Sequence, residues 1–279
     1  MVESNANPLE TALPRFLRRC DAESTRTAYE RELLRFISWL RCDPYAEVLF
    51  DYRDHLRGRN LGPTTVRWRT TVARAFLLFA AAHGYIPPGS VGDFKPPRGT
   101  SGFAPRVLTA VELQRLLDAP DRRTKRGKRD AAALACLGVG GLRAGEVCRL
   151  DAEDVRIEPG RVVLHIDGKG RKQRLVALPG KFGALCRAYL SSWPESRTGD
   201  GPLFWCGQPG HETRRLTVAA VDYLMRAHAT TAGLACTGAH ALRHTAASLA
   251  IDAGEPLHRL RDRLGHSSVL VTSRYLHVR

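Results

Sequence analysis

The residues of this chain best suited to chemistry fall into two groups. Towards the C-terminus stand His240-Ala241-Leu242-Arg243, then Leu264-Gly265-His266, then Tyr275. Two imidazoles, a guanidinium and a phenol gathered in this way are the ingredients of phosphate chemistry without a metal: fixed positive charge, proton-transfer groups and a nucleophile. About a hundred residues upstream, Gly141-Leu142-Arg143-Ala144-Gly145-Glu146 offers a second guanidinium.

Each of these residues also has a purely structural reading. An arginine after a turn commonly pairs with a nearby acid, and Glu146 lies three residues beyond Arg143. That pairing would itself hold the planar fork in one orientation, suited to two phosphate oxygens. His240 and Arg243 share a face if residues 239–253 are helical, with Leu242, Ala246, Leu249 and Ala250 free to pack. His240 alone fits a helix cap or the core equally well, and its neighbour His244 weakens any argument from histidine count. Gly265 is placed to end a helix and turn the chain into His266, whose imidazole can donate to a nonbridging oxygen or satisfy the loop backbone. Tyr275 is either a hydrogen-bonded buried phenol or a nucleophile. Lys169, flanked by Gly168 and Gly170, is a solvent-facing turn residue or a mobile cation able to protonate a departing 5′ oxygen. Arg171, Lys172 and Arg174 are expected to contact backbone phosphates nearby.

The whole chain is charged to match. At 279 residues it divides most naturally into two domains. Its formal net charge of +15 and pI near 10.1 suit phosphate polymers or anionic membranes. No apolar run reaches the length of a membrane span, and the basic residues are spread along the chain, which favours nucleic acid over a membrane. Seven scattered cysteines without a C-x-x-C pair favour reduced thiols in a cytoplasmic, nucleoid-associated protein over a disulfide scaffold. Neither Cys nor His shows metal-ligand spacing, so no metal or cofactor is expected, and the N-terminus has no secretory signal pattern.

The elements needed to position these groups are mainly helical. Apolar spacing predicts helices over 25–40 and 48–56, and a third opening at Gly62-Pro63 and continuing through Val66, Val72, Phe76 and Phe79. The third carries Arg67, Arg69 and Arg74, either a solvated face or a DNA-contacting one. Residues 84–107 are rich in Pro and Gly and poor in apolar period, the best domain boundary. The expected division is a helical domain over 1–94, a basic linker over 95–107 and a second domain over 108–279. Lys95, Arg98 and Arg106 would face phosphates, with the two halves closing on a duplex as a clamp. Beyond the linker, Thr109 is a plausible N-cap, residues 122–129 read as a basic loop and 131–139 as an apolar helix. Strands over 162–166 and 174–177 would form a small β-hairpin, followed by helices over 182–193, 216–227 and 239–253.

The ordered set Gly141-Leu142-Arg143, Gly168-Lys169-Gly170, His240-Ala241-Leu242-Arg243-His244, Leu264-Gly265-His266 and Tyr275 resembles the catalytic domain of the tyrosine recombinase (phage integrase) family, Xer-type members included. Residues 25–79 resemble that family's helical core-binding domain, so the likeness covers almost the whole chain. It implies that Arg143 and Arg243 are the catalytic arginines, Lys169 the hairpin lysine, His240 and His266 the two histidine-class positions and Tyr275 the nucleophile, with Glu146 in support. It further implies a 3′-phosphotyrosyl intermediate and a homotetramer on two DNA sites, with a second recombinase or a directionality factor as optional partners. Many members continue past the nucleophile into a helix that docks on a neighbouring subunit; here Leu276 to Arg279 follow, and if that is the native end the assembly contacts are expected to differ or be weaker. The competing readings are a type IB topoisomerase-like relaxer, which rejoins the same strand, and a noncatalytic architectural DNA-binding protein.

Overall fold

The computed structural model describes residues 7–40, 44–97, 107–168, 173–193, 201–206, 214–235 and 238–265. Arg98, Arg106, Lys169, Arg171, Lys172, His266 and Tyr275 lie outside the described residues. The chain forms two units, Met1–Phe103 and Ala104–Arg279.

The first unit is built from α1 (Pro8–Leu17), α2 (Glu23–Trp39), α3 (Val48–Gly58) and α4 (Pro63–Ala82). The first of these has no counterpart in the sequence expectations. Asn7 starts it by accepting from the Leu9 backbone N–H, and Leu9, Leu13, Phe16 and Leu17 bury its apolar stripe. Phe16, Phe36 and Phe76 sit in the core they share, with Phe16 and Phe76 edge to face at 5.3 Å. The segment after α4 is not wholly linker in character: Ile86, Val91 and Phe94 are buried in this core although their spacing follows no helical or strand period. Gly92 permits that course, since its φ is +57° and a Cβ there would lie 2.3 Å from the Ala46 carbonyl oxygen.

A buried acid lies within this helical core. Glu32 accepts from the Tyr52 hydroxyl at 2.7 Å and pairs with Arg69 at 3.4 Å and Arg35 at 3.7 Å. Tyr52→Phe is therefore expected to destabilise the unit by about 1–3 kcal/mol, because it leaves a buried carboxylate oxygen short of a donor; urea unfolding checks it, and an unchanged midpoint would contradict it.

In the second unit, α5 (Ala110–Asp118) begins with a capping box between Thr109 and Glu112. α6 (Lys125–Gly138) runs through the core, packed by α5, α7 (Ala144–Arg149), α8 (Gly180–Leu190) and α10 (Ala239–Asp252). The expected basic loop over 122–129 is largely the first half of α6. Thr124 caps it, and buried Arg129 pairs with buried Asp130 while donating to the Trp205 carbonyl at 2.7 Å. Arg129 thus spends its charge on the next residue along the chain and its remaining donors on a distant carbonyl, which is how a residue of this basic run comes to be buried in a helix.

The expected hairpin is two strands of a three-stranded antiparallel sheet. β1 (Val155–Glu158), β2 (Arg161–Asp167) and β3 (Gln173–Pro179) lie in the order β1-β2-β3, with Leu164 opposite Val155 on one side and Val176 on the other. Val162, Leu164, Ile166, Val176 and Leu178 turn inward onto the helices. At four residues, β1 is too short to show an alternation, although the Pro159-Gly160 turn marks its end. α9 (Val218–Thr231) and α11 (Leu257–Leu264) complete the unit.

Candidate active site

The site grows from the end of α6. Gly141 turns the chain with φ +69°, and a Cβ there would sit 2.6 Å from a Leu264 methyl, so this close, left-handed passage requires glycine. Arg143 follows as the residue before α7. Its backbone N–H donates to Glu146 Oε2 and its Nη1 to Oε1, both at 2.8 Å. The Arg143–Glu146 pairing expected from the sequence is present, and the Arg143 side chain remains 45% exposed.

Glu146 is the centre of the arrangement. Its carboxylate is 2% exposed and also accepts from Arg174 Nη1 at 3.1 Å and Nη2 at 2.8 Å, with Arg243 Nη1 at 3.9 Å. Burial opposes its ionisation, but the hydrogen bonds from Arg174 and the Arg143 backbone, with the charges of both arginines, outweigh it and hold the carboxyl below the ordinary glutamate range. An ionised carboxylate thus aligns three guanidinium groups from three elements.

Arg243 lies in the second turn of α10 and is buried to 2% exposure. Its Nη1 donates to the Gly141 carbonyl at 2.7 Å and its Nη2 to the Leu264 carbonyl at 2.5 Å. One side chain therefore joins α10, the glycine turn and the end of α11. Gly265 ends α11 in the left-handed region, as its position in the sequence predicted, and directs the chain into His266.

His240 precedes Arg243 by one turn. Partial desolvation, then the charges of Arg243 and Arg143, press its pKa below the ordinary value, which places it within the field of both arginines. The ring of His244 stands edge to face with it, centroids 4.6 Å apart. Desolvation, His240 and Arg243 lower the His244 pKa to about 4. Both imidazoles are neutral at pH 7, so His240 can accept a proton.

The His244 shift has a thermodynamic consequence. Its folded pKa lies below its unfolded value of 6.5, so the unfolded chain binds the extra proton first and stability falls as pH drops from about 6.5 towards 4. His244→Gln is expected to remove on the order of 1–2 kcal/mol of that acid dependence, a figure reduced for the ring's partial solvent contact. Urea unfolding at several pH values checks it; an unchanged slope would contradict the assignment.

Several residues expected on the DNA side have protein partners. Arg174, expected at a phosphate, is only 9% exposed, and its Nε donates to the Arg263 carbonyl at 2.7 Å in addition to the Glu146 bonds. The cause is strand parity: Arg174 alternates with Val176 and Leu178 on the inward face of β3. In the first unit, Arg69 turns towards Glu32, and Arg74 donates from Nε to the Phe94 carbonyl at 2.9 Å. Arg67 and Lys95 are exposed. Sequence reasoning also missed Arg263, which donates to the Val139 carbonyl at 2.9 Å and forks onto Glu255, fastening α11 to the turn after α6. Leu257, Leu260 and Leu264 at helical spacing were the available signal for that helix.

One buried glutamate thus gathers three arginines, with a neutral histidine in the field of two of them, on a helical unit with a three-stranded sheet. The sequence profile of the phage integrase family matches residues 106–279, and the chain belongs to that family. It is 30% identical over 277 residues to tyrosine recombinase XerC of Neisseria meningitidis serogroup B, covering 96% of this chain and 89% of that protein. It is likewise 30% identical over 230 residues to XerC of Azotobacter vinelandii, covering 81% and 73%. In fold it resembles XerH recombinase bound to palindromic difH substrate in a post-cleavage complex, with a TM-score of 0.70 and 23% identity over 95% of this chain and 80% of that one. It also resembles the Tn1549 transposon integrase in complex with circular intermediate DNA, with a TM-score of 0.73 and 17% identity over 96% and 94%. Among the described residues no helix is long and apolar enough to cross a membrane.

Proposed function

We propose that this protein is a site-specific DNA recombinase that cuts and rejoins strands through a 3′-phosphotyrosyl intermediate, with Tyr275 as the nucleophile. The observation that carries the reading is the convergence of Arg143 and Arg243 on Glu146, with neutral His240 within their field. Two guanidinium groups held before the substrate arrives can stabilise the extra negative charge of the phosphoryl transition state without reorganising at the moment of reaction. His240 would take the phenol proton as the Tyr275 oxygen attacks phosphorus. The P–O bond to the 5′ oxygen then breaks, and Lys169 would protonate that oxygen as it leaves, while His266 would donate to a nonbridging oxygen. The phosphotyrosine conserves the energy of the broken phosphodiester, so attack by a 5′ hydroxyl from another strand rejoins DNA without a nucleoside triphosphate.

Double-stranded DNA is the partner, a reading supported by the net charge and by DNA in the complexes of similar fold. In this reading the first unit is the core-binding domain, and Arg67, Lys95, Arg98, Arg106, Arg171 and Lys172 contact phosphates. Four protomers act on two sites in the cytoplasm, at the nucleoid.

The test begins with selecting the protein's binding site from a random duplex pool. A nicked suicide duplex carrying that site is then incubated with wild type and with Tyr275→Phe, and the products are separated on a denaturing gel. Wild type should form a covalent protein–DNA band and the variant none while still binding DNA; a band persisting in Tyr275→Phe removes Tyr275 from the role. A two-site exchange assay run beside plasmid relaxation separates the alternatives, since relaxation without exchange would identify a type IB topoisomerase-like enzyme.

A further inference from the structure

We infer that Arg174 is a positioning residue for strand cleavage: it sets the catalytic arginines through Glu146 and holds the end of α11, and it does not bind DNA. The inference rests on the recombinase reading above and extends it to a residue for which the sequence had predicted a phosphate contact.

Three observations carry it. First, every nitrogen of the guanidinium donates inside the protein, and the side chain is only 9% exposed. Nη1 and Nη2 fork onto the two Glu146 oxygens, and Nε donates to the Arg263 carbonyl. Swinging this side chain out to a phosphate would strip a buried carboxylate of its bidentate partner, a costly exchange. Second, the contact is packed as well as bonded. Gly265 passes so close that a Cβ there would lie 3.2 Å from Arg174 Nη1 and 3.3 Å from its Cζ, so the flat guanidinium lies against the backbone immediately before His266. Third, Arg174 stands at the foot of the hairpin: its neighbour Gln173 pairs with Asp167 across β2 and β3, and Lys169 lies between those two residues in the chain. One planar cation thus ties β3 to α7, which bears Glu146, and to the last turn of α11.

The consequence concerns geometry more than affinity. Glu146 holds Arg143 through both its backbone N–H and its side chain, and it lies 3.9 Å from Arg243. Removing the fork from Arg174 frees one side of the carboxylate and lets the two catalytic guanidinium groups shift from the phosphoryl oxygens. Lysine cannot replace the fork, because a single ammonium has no planar pair of donors to span both carboxylate oxygens while a third reaches the Arg263 carbonyl.

The test uses full-length Arg174→Lys, with Arg174→Gln as a second variant, and single-turnover cleavage of the nicked duplex bearing the selected site at saturating DNA. Two versions of that duplex are compared, one with the natural scissile phosphate and one with a methylphosphonate there, which has no negative charge for the arginines to neutralise. Both variants should bind DNA within about twofold of wild type with an unchanged salt slope, whereas loss of a true phosphate contact would lower that slope by about one. Cleavage of the natural phosphate should fall by about 10²-fold, as for a misplaced catalytic group. The deficit should shrink on the methylphosphonate to within about tenfold of wild type, because the misplaced charges are no longer needed. The ratio between the two substrates is independent of how much variant is folded. An equal deficit on both substrates, or wild-type cleavage with weakened and less salt-dependent binding, overturns the inference. Failure of wild type itself to form the covalent complex on either duplex would instead overturn the recombinase reading.

Discussion

Arg243→Ala is expected to abolish detectable strand cleavage and to destabilise the Ala104–Arg279 unit by about 3–5 kcal/mol. The two losses have one origin. Arg243 is buried, and it supplies donors to the Gly141 and Leu264 carbonyls, so truncation leaves both acceptors unsatisfied around an empty volume. It also removes a positive charge 3.9 Å from Glu146, one that the proposed reaction uses to meet phosphoryl charge. Arg243→Lys should recover part of the stability and little of the cleavage, since one ammonium cannot reach two carbonyls and present a planar fork. Urea unfolding followed by tryptophan fluorescence, beside single-turnover cleavage, measures both quantities. Wild-type stability in Arg243→Ala would show that the carbonyl contacts do not hold α10, the glycine turn and α11 together.

Glu146→Gln is the second large effect. The substitution keeps the shape but removes the charge that holds Arg143 and Arg174 and lies beside Arg243. It also turns an amide donor towards side chains that only donate. A loss of about 3–5 kcal/mol is expected, the size typical of removing one partner from a buried ion pair. The pH dependence follows from the depressed Glu146 pKa. Its stabilisation is present above the unfolded glutamate pKa of 4.5 and is lost as pH falls through the folded value. Glu146→Gln should therefore be far less stable than wild type at pH 7 and approach it under acid conditions. Equal differences at pH 7 and at the acid end would remove Glu146 as the ionised centre of the site.

Arg143, His240 and Arg243 were legible as a set because their types and order along the chain are unusual, and the structure brings the two arginines onto Glu146 with His240 in their field. Gly141 and Gly265 were legible for a local reason: each has a positive φ, and glycine beside a helix end is the ordinary way to meet that need. The longer helices were readable from apolar spacing, with bounds shifted by a few residues. β1 and α7 were not, being four and six residues long, whereas α1 and α11 carry apolar residues at helical spacing that the reading along the chain passed over.

Arg174 marks where reading along the chain stops. In sequence it belongs to a basic run with Arg171 and Lys172, and composition assigns all three to phosphate. Its strand parity with Val176 and Leu178 was written in the sequence, but the acid it faces lies 28 residues upstream and the carbonyl it meets 89 residues downstream. Arg69 meets its acid in the same way, Glu32 lying 37 residues upstream on another helix.

The sequence by itself determined the chemistry: the residue types, their order, the basic charge and the glycines that permit the turns, all of which are local properties of the chain. Tertiary structure decided which cations are available to a substrate and which are committed to the protein. That choice depends on which buried acceptors need a partner, and those acceptors come from distant segments that meet only when the core forms.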